Sequence, residues 1–177
     1  MMVTATSTST NIESASLLRS LAEQRGFLRV TLAGLDDEQA SRRTTVSELT
    51  LGGLVKHVTQ TERNWVAFIR EGTPATTADY EDPSTWKEHA DSFRLLDGET
   101  LAGALEDYER AAEETERAVA DLPDLEVSHL LPAAPWFPEG ASWSARDVLL
   151  HILRETAQHC GHADIIRESL DGRRTMG

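Results

Sequence analysis

Residues 99–122 read ETLAGALEDYERAAEETERAVADL, and their non-charged residues recur every three or four positions. This spacing places them on one face of an α-helix, while glutamates, aspartates and arginines cover the opposite face. Such a segment is typical of a helix that packs on one side and faces water on the other. The inward face consists of Leu101, Ala104, Leu105, Tyr108, Ala111, Ala112, Thr115, Ala118, Val119 and Leu122.

Three further segments predict long helices around this one. The first runs from about residue 12 to 33, the second from about 50 to 70, and the last extends to about residue 170 after a cap at Ser142 or Ser144. Four such helices predict an all-α fold, a four-helix bundle.

Two long linkers join these helices. Residues 74–98 are irregular, with a short helical turn predicted near residues 86–94 and a tip that would cover a cleft. The proline-rich linker 122–142 includes a hairpin-like excursion near residues 127–131. Gly52 and Gly53 weaken the start of the second helix unless another segment packs closely there.

Composition narrows the classes of function. The 177 residues carry 17 Lys and Arg against 30 Asp and Glu, a formal charge of −13, which argues against binding nucleic acid or an anionic membrane. A single cysteine excludes an internal disulfide. Residues 1–11, with no signal-peptide pattern, predict a disordered tail before a single domain at 12–177 and a cytoplasmic location.

The last helix carries a group of potential metal ligands in HILRETAQHCGHADIIRE, residues 151–168. His151, Glu155, His159 and His162 fall within about 80° of its circumference, and Glu155 and His159 lie one turn apart. A third ligand must come from another helix, and His57 on the second helix is the best candidate. Imidazole and carboxylate ligands suit zinc, nickel or ferrous iron. The alternative is a polar seam satisfied by hydrogen bonds.

Three segments resemble the DinB/YfiT-like superfamily of four-helix bundles with long connecting loops. They are SELTLGGLVKHVTQTERNW (47–65), SWSARDVLLHILRETAQHCGHADIIRE (142–168) and the SLDG that follows. Within the superfamily they are most similar to mycothiol-dependent transferases with the maleylpyruvate isomerase-type metal-binding domain. By position within these motifs, the resemblance implies His57, Glu155 and His159 as metal ligands.

The resemblance also implies the chemistry. A divalent metal, most often zinc, would bind the thiol of mycothiol or bacillithiol and favour its thiolate. That thiolate would attack a small electrophile, which makes the chain a metal-dependent thiol S-transferase. The implied partners are therefore a small-molecule thiol and an electrophile. The net charge argues against nucleic acid and membrane partners, and a bundle of this size is compatible with a homodimer.

Five further residues are candidates for substrate binding or for support of the ligands. His162 and His151 flank the ligand pair on the last helix, and Trp65 would form a pocket wall. Arg154 and Arg167 would meet carboxylates of a thiol or substrate. Four of them have a plainer alternative: a core histidine for His151, core packing for Trp65, and surface ion pairs for the two arginines.

Two other functions fit the same residues. A site of this kind can activate a metal-bound water, which would make the chain a small hydrolase. In the second alternative, the bundle would bind a metal without catalysing a reaction and would act as a homodimeric stress protein. The absence of an HExxH arrangement favours the thiol chemistry, since Glu155 is needed as a ligand.

Overall fold

The computed structural model of the chain describes residues 4–72 and 82–175, with side chains from Ile12 onward. It confirms the all-α fold: four long helices of the DinB-like bundle carry most of the described chain, beside two short helices and two short strands. The elements are α1 (Thr4–Leu32), α2 (Asp37–Ser41), α3 (Leu51–Glu71), α4 (Pro83–Asp91), α5 (Leu101–Ala120), β1 (Ser128–Leu130), β2 (Ser142–Ser144) and α6 (Ala145–Asp171).

The helices differ from those predicted from the sequence in two places. Helix α1 begins at Thr4 and therefore includes part of the segment predicted as a tail. The short helix α2 was not predicted; Asp36 caps it in a reciprocal pair of hydrogen bonds with Gln39. The predicted helical turn in the first linker is α4, whereas the tip of that linker, residues 73–81, lies outside the described residues.

The second linker forms a small antiparallel sheet. A strand lies where the hairpin-like excursion was predicted, but its partner is β2, at the entry to α6, in a register that pairs His129 with Trp143. Ser144 ends β2 and caps α6: its Oγ accepts from the Asp147 N–H at 3.2 Å, and Asp147 Oδ2 accepts from the Ser144 N–H at 2.9 Å. The sheet thus fixes where α6 begins.

Helix α3 packs against both α5 and α6, and α1 packs against α6. The apolar residues between them form two clusters, and a buried polar layer separates these along the helices. In this layer Arg25 Nε donates to Glu62 Oε2 at 3.3 Å, and the Thr115 hydroxyl donates to the same carboxylate. Burial of Arg25 and Glu62 is tolerated because each charged group has a partner of opposite charge.

None of the described helices combines the length and apolar character that a membrane span requires.

Candidate metal centre

Three side chains converge where α3 packs against α6. His57 comes from α3, and Glu155 and His159 come from adjacent turns of α6; one ligand atom from each lies within 4.8 Å of the other two. His159 Nε2 is 3.9 Å from Glu155 Oε2. Two ligands of one zinc ion lie about 3.4 Å apart, from bond lengths near 2.1 Å and tetrahedral angles. The donor set and its spacing therefore fit a divalent metal ion after small side-chain adjustments.

Both histidines are neutral at pH 7. Burial, with the nearby His159 and His89, lowers the pKa of His57 to about 3. Burial, with the nearby His162, lowers the pKa of His159 to about 4. A neutral imidazole offers a lone pair to a metal, whereas a protonated ring does not. The site is therefore ready to bind a cation without first releasing protons from its histidines.

The segment after α4 orients His57. The Ser92 hydroxyl donates to the His89 carbonyl at 2.7 Å, so its oxygen accepts from His57 Nδ1–H at 3.1 Å. The second ring nitrogen of His57, Nε2, is thereby left with the lone pair. The ring of Phe93 stacks on His57 with centroids 3.9 Å apart. Contacts of this kind fix the tautomer and tilt of a ligating histidine.

His162 plays the corresponding part for His159. The Nδ1 atoms of the two rings lie 3.3 Å apart, while His159 Nε2 is the atom near Glu155. A proton on His159 Nδ1, donated to His162, leaves the Nε2 lone pair available. The structure thus places His162 in contact with a triad residue, and its support of that ligand stays a prediction.

His151, Trp65 and Arg154 form a neighbouring group. The ring of His151 lies 4.9 Å from that of Trp65 and 5.1 Å from that of Trp143, and Arg154 donates to His151 Nδ1 at 2.6 Å. Arg167 does not join them: it is buried and donates to the carbonyls of Thr31 and Ala33, at the end of α1.

A cavity of about 470 Å³ opens beside the triad on the His57 side. Aromatic side chains dominate its walls, which suits an apolar or planar molecule. We call it the aromatic cavity. Its lining is His57, Gln60, Thr61, Asn64, Trp65, Thr85, Trp86, Glu88, His89, Ser92, Pro132, Trp136 and Phe137.

The sequence pattern indicated no role for His89, Ser92 or Phe93. The structure places all three beside His57: the His89 ring centroid is 6.1 Å from that of His57, and the other two contact the ring directly. Their segment has little hydrophobic periodicity and lies more than 30 residues from His57 in the chain. The adjacent Gly52 and Gly53 were the one sign that something packs there.

Cys160 follows His159 directly but points to another side of α6. Its thiol donates to the carbonyl of Gln24 on α1 at 3.3 Å, and burial raises its pKa to about 11. The thiolate is the nucleophilic form of cysteine, so this side chain is a poor nucleophile at neutral pH. A thiol for chemistry at the triad must therefore come from a bound molecule.

We expect Cys160 to react slowly with 5,5′-dithiobis(2-nitrobenzoic acid) in the native protein at pH 8. Raising the pKa from about 9 to about 11 lowers the thiolate fraction about 100-fold, because each unit is a factor of ten. Labelling in urea provides the comparison, and the signal is unambiguous because the chain has one cysteine. Equal rates in the two states would contradict the raised pKa of Cys160.

Comparison with known proteins agrees with this geometry. The family model for mycothiol-S-transferase matches residues 16–172, a span that includes all three triad residues. The chain belongs to the mycothiol-S-transferase family. A search of curated proteins gave no match.

Among solved structures, the chain resembles a conserved protein from Enterococcus faecalis with a TM-score of 0.66 at 10% identity. The match covers 90% of this chain and 98% of that one. At this level of identity the likeness shows a common fold.

Proposed function

We propose that this family member is a divalent-metal-dependent S-transferase that joins mycothiol to a small electrophile. The observation that carries the proposal is the convergence of two neutral histidines and one carboxylate, His57, His159 and Glu155, at the edge of the aromatic cavity. Zinc is the expected metal, with nickel and iron as alternatives. Membership of the mycothiol-S-transferase family supports the choice of thiol.

The three ligands and the two residues that contact them would have different roles. His57, Glu155 and His159 would hold the ion, which when bound would lower the pKa of a coordinated thiol so that the thiolate exists at neutral pH. Ser92 and His162, which contact these two imidazoles, would hold them in the tautomers that ligation requires.

The aromatic cavity would position the electrophile. Trp65 and Phe137 line it with His57, and their ring planes are nearly perpendicular, so a planar electrophile would stack on one of these rings and lie beside His57. The sulfur forms a bond to that carbon, the leaving group departs with the bonding pair, and the thiol proton passes to solvent.

Turnover with a planar electrophile tests the proposal. Protein reconstituted with zinc and given mycothiol and 1-chloro-2,4-dinitrobenzene should form the thioether and chloride, with a rate that saturates in thiol. Removal of the metal with a chelator should abolish the reaction, and added zinc should restore it. Hydrolysis of p-nitrophenyl acetate in the absence of thiol, together with no conjugate of 1-chloro-2,4-dinitrobenzene when mycothiol is present, would favour the hydrolase instead.

A further inference from the structure

A second cavity, of about 510 Å³, lies between α3 and the first turns of α5, and the proposed function gives it no role. We call it the α3–α5 groove. Polar side chains of several kinds line it, together with small residues that leave it open. Its lining is Lys56, Thr59, Gln60, Arg63, Asn64, Leu95, Gly98, Glu99, Thr100, Gly103, Ala104 and Asp107.

Gln60 and Asn64 connect the groove to the aromatic cavity, since they line both. They follow His57 on α3 by one and two turns. Residues 57 to 63 span about 9 Å along a helix at 1.5 Å per residue. A molecule of moderate size with one end at His57 would therefore reach the groove by passing over these two amides.

The charges in the groove cancel. Lys56 Nζ pairs with Glu99 Oε2 at 2.6 Å, and a guanidinium nitrogen of Arg63 lies 3.5 Å from Asp107 Oδ1. Arg63 is also held by Glu114, through Nε at 3.3 Å. Neither cation is thus free to bind an incoming carboxylate or phosphate, and such a ligand would meet two carboxylates in the wall. The groove favours an uncharged ligand.

The hydrogen-bonding groups of the groove lining also favour one kind of ligand. The two carboxylates accept, the ammonium and guanidinium groups donate, and the amides of Gln60 and Asn64 do both. A hydroxyl group also donates and accepts, so a ligand with many hydroxyls can match such a wall.

We propose that the α3–α5 groove binds the neutral polyhydroxylated part of the thiol co-substrate while its sulfur lies at the triad. The inference rests on the proposed function and deepens it. On this proposal the groove selects the thiol. The uncharged pseudodisaccharide of mycothiol matches the groove. The malate of bacillithiol, the carboxylates of glutathione and the phosphates of coenzyme A do not match it, because they are negatively charged.

The test compares two thiols with the same reactive end. N-Acetylcysteinamide shares the neutral acyl-cysteinyl amide of mycothiol and lacks its sugar and inositol. Ala104→Phe fills the groove, and we expect it to lower the ratio of kcat/KM for mycothiol to kcat/KM for N-acetylcysteinamide about tenfold. Ala102→Phe, an exposed position outside the groove on the same helix, is the matched control and should keep the wild-type ratio.

A second pair of variants covers the case in which Ala104→Phe does not fold. Asp107→Ala removes a groove carboxylate, and Glu106→Ala removes its exposed neighbour, which does not line the groove. The ratio should fall in the first variant alone. Equal ratios in Asp107→Ala and Glu106→Ala would overturn the proposal.

Failure of the proposed function is separately visible. If the wild type uses neither thiol, titration with N-acetylglucosaminyl-inositol, a neutral fragment without sulfur, still tests the groove by amide shifts in NMR spectra. Shifts centred on Gln60, Asn64 and Asp107 would support the groove as a polyol site; no shifts at these residues would overturn it.

Discussion

Replacement of His159 by alanine is expected to reduce bound metal from about one ion per chain to none and to lower kcat/KM for conjugation about a thousandfold. The variant removes one of three converging ligand atoms and leaves Glu155 without its neighbour one turn away. Metal-assisted steps owe several kcal/mol to the ion, and about 4 kcal/mol corresponds to three powers of ten. Elemental analysis of the dialysed protein and steady-state rates measure both effects.

Two other histidines of α6 provide comparisons, and His151 is the control. His151→Ala, two turns earlier on the helix, should keep the full metal content, because its ring contacts Trp65 and Trp143 instead of the triad. His162→Ala should weaken metal affinity about 10- to 100-fold, as loss of a group that orients a ligand does. Full metal retention by His159→Ala would contradict the assignment of the triad.

The second large effect concerns Gly53, near the start of α3. A Cβ at this position would lie 1.8 Å from the carbonyl oxygen of Phe93 and 2.7 Å from the nitrogen of Arg94. Gly53→Ala must therefore push this backbone away, and we expect a loss of about 3 kcal/mol in the free energy of unfolding. Metal affinity should fall too, since Ser92 and Phe93 hold the ring of His57.

Gly26→Ala provides the matched comparison. Gly26 lies inside α1, and a Cβ there would meet no other atom within 4 Å. Alanine is the better helix former by about 1 kcal/mol, so this variant should be as stable as the wild type or slightly more stable. Urea unfolding of both variants gives the comparison. Equal stability of Gly53→Ala and Gly26→Ala would show that the segment after α4 is not packed closely on α3.

The bundle was predictable because its signals are local. Apolar residues recur at helical spacing in residues 101–119, Ser144 caps α6, and a glycine in the left-handed conformation, Gly172, ends it. The spacing of Glu155 and His159 likewise follows from the helix alone. His57 was the best candidate for the third ligand from its place on the second helix, and the structure brings it to this pair.

The surroundings of the triad were not predictable in the same way. Ser92 and Phe93 follow a nine-residue helix with no buried residues, so no hydrophobic pattern marks their position. The pairing of β1 with β2 joins segments more than ten residues apart, and both cavities are lined from several elements. Such contacts depend on tertiary packing. A homodimer, a cytoplasmic location and a single domain at 12–177 stay predictions.

Cobalt substitution tests most directly whether a thiol binds a metal held by His57, Glu155 and His159. Cobalt(II) protein titrated with mycothiol should gain the intense near-ultraviolet absorption of sulfur-to-cobalt charge transfer, saturating at one thiol per metal. S-Methylated mycothiol should give no such absorption, and neither should His159→Ala. Cobalt bound by the wild type with no charge-transfer absorption at saturating mycothiol would contradict the proposed function.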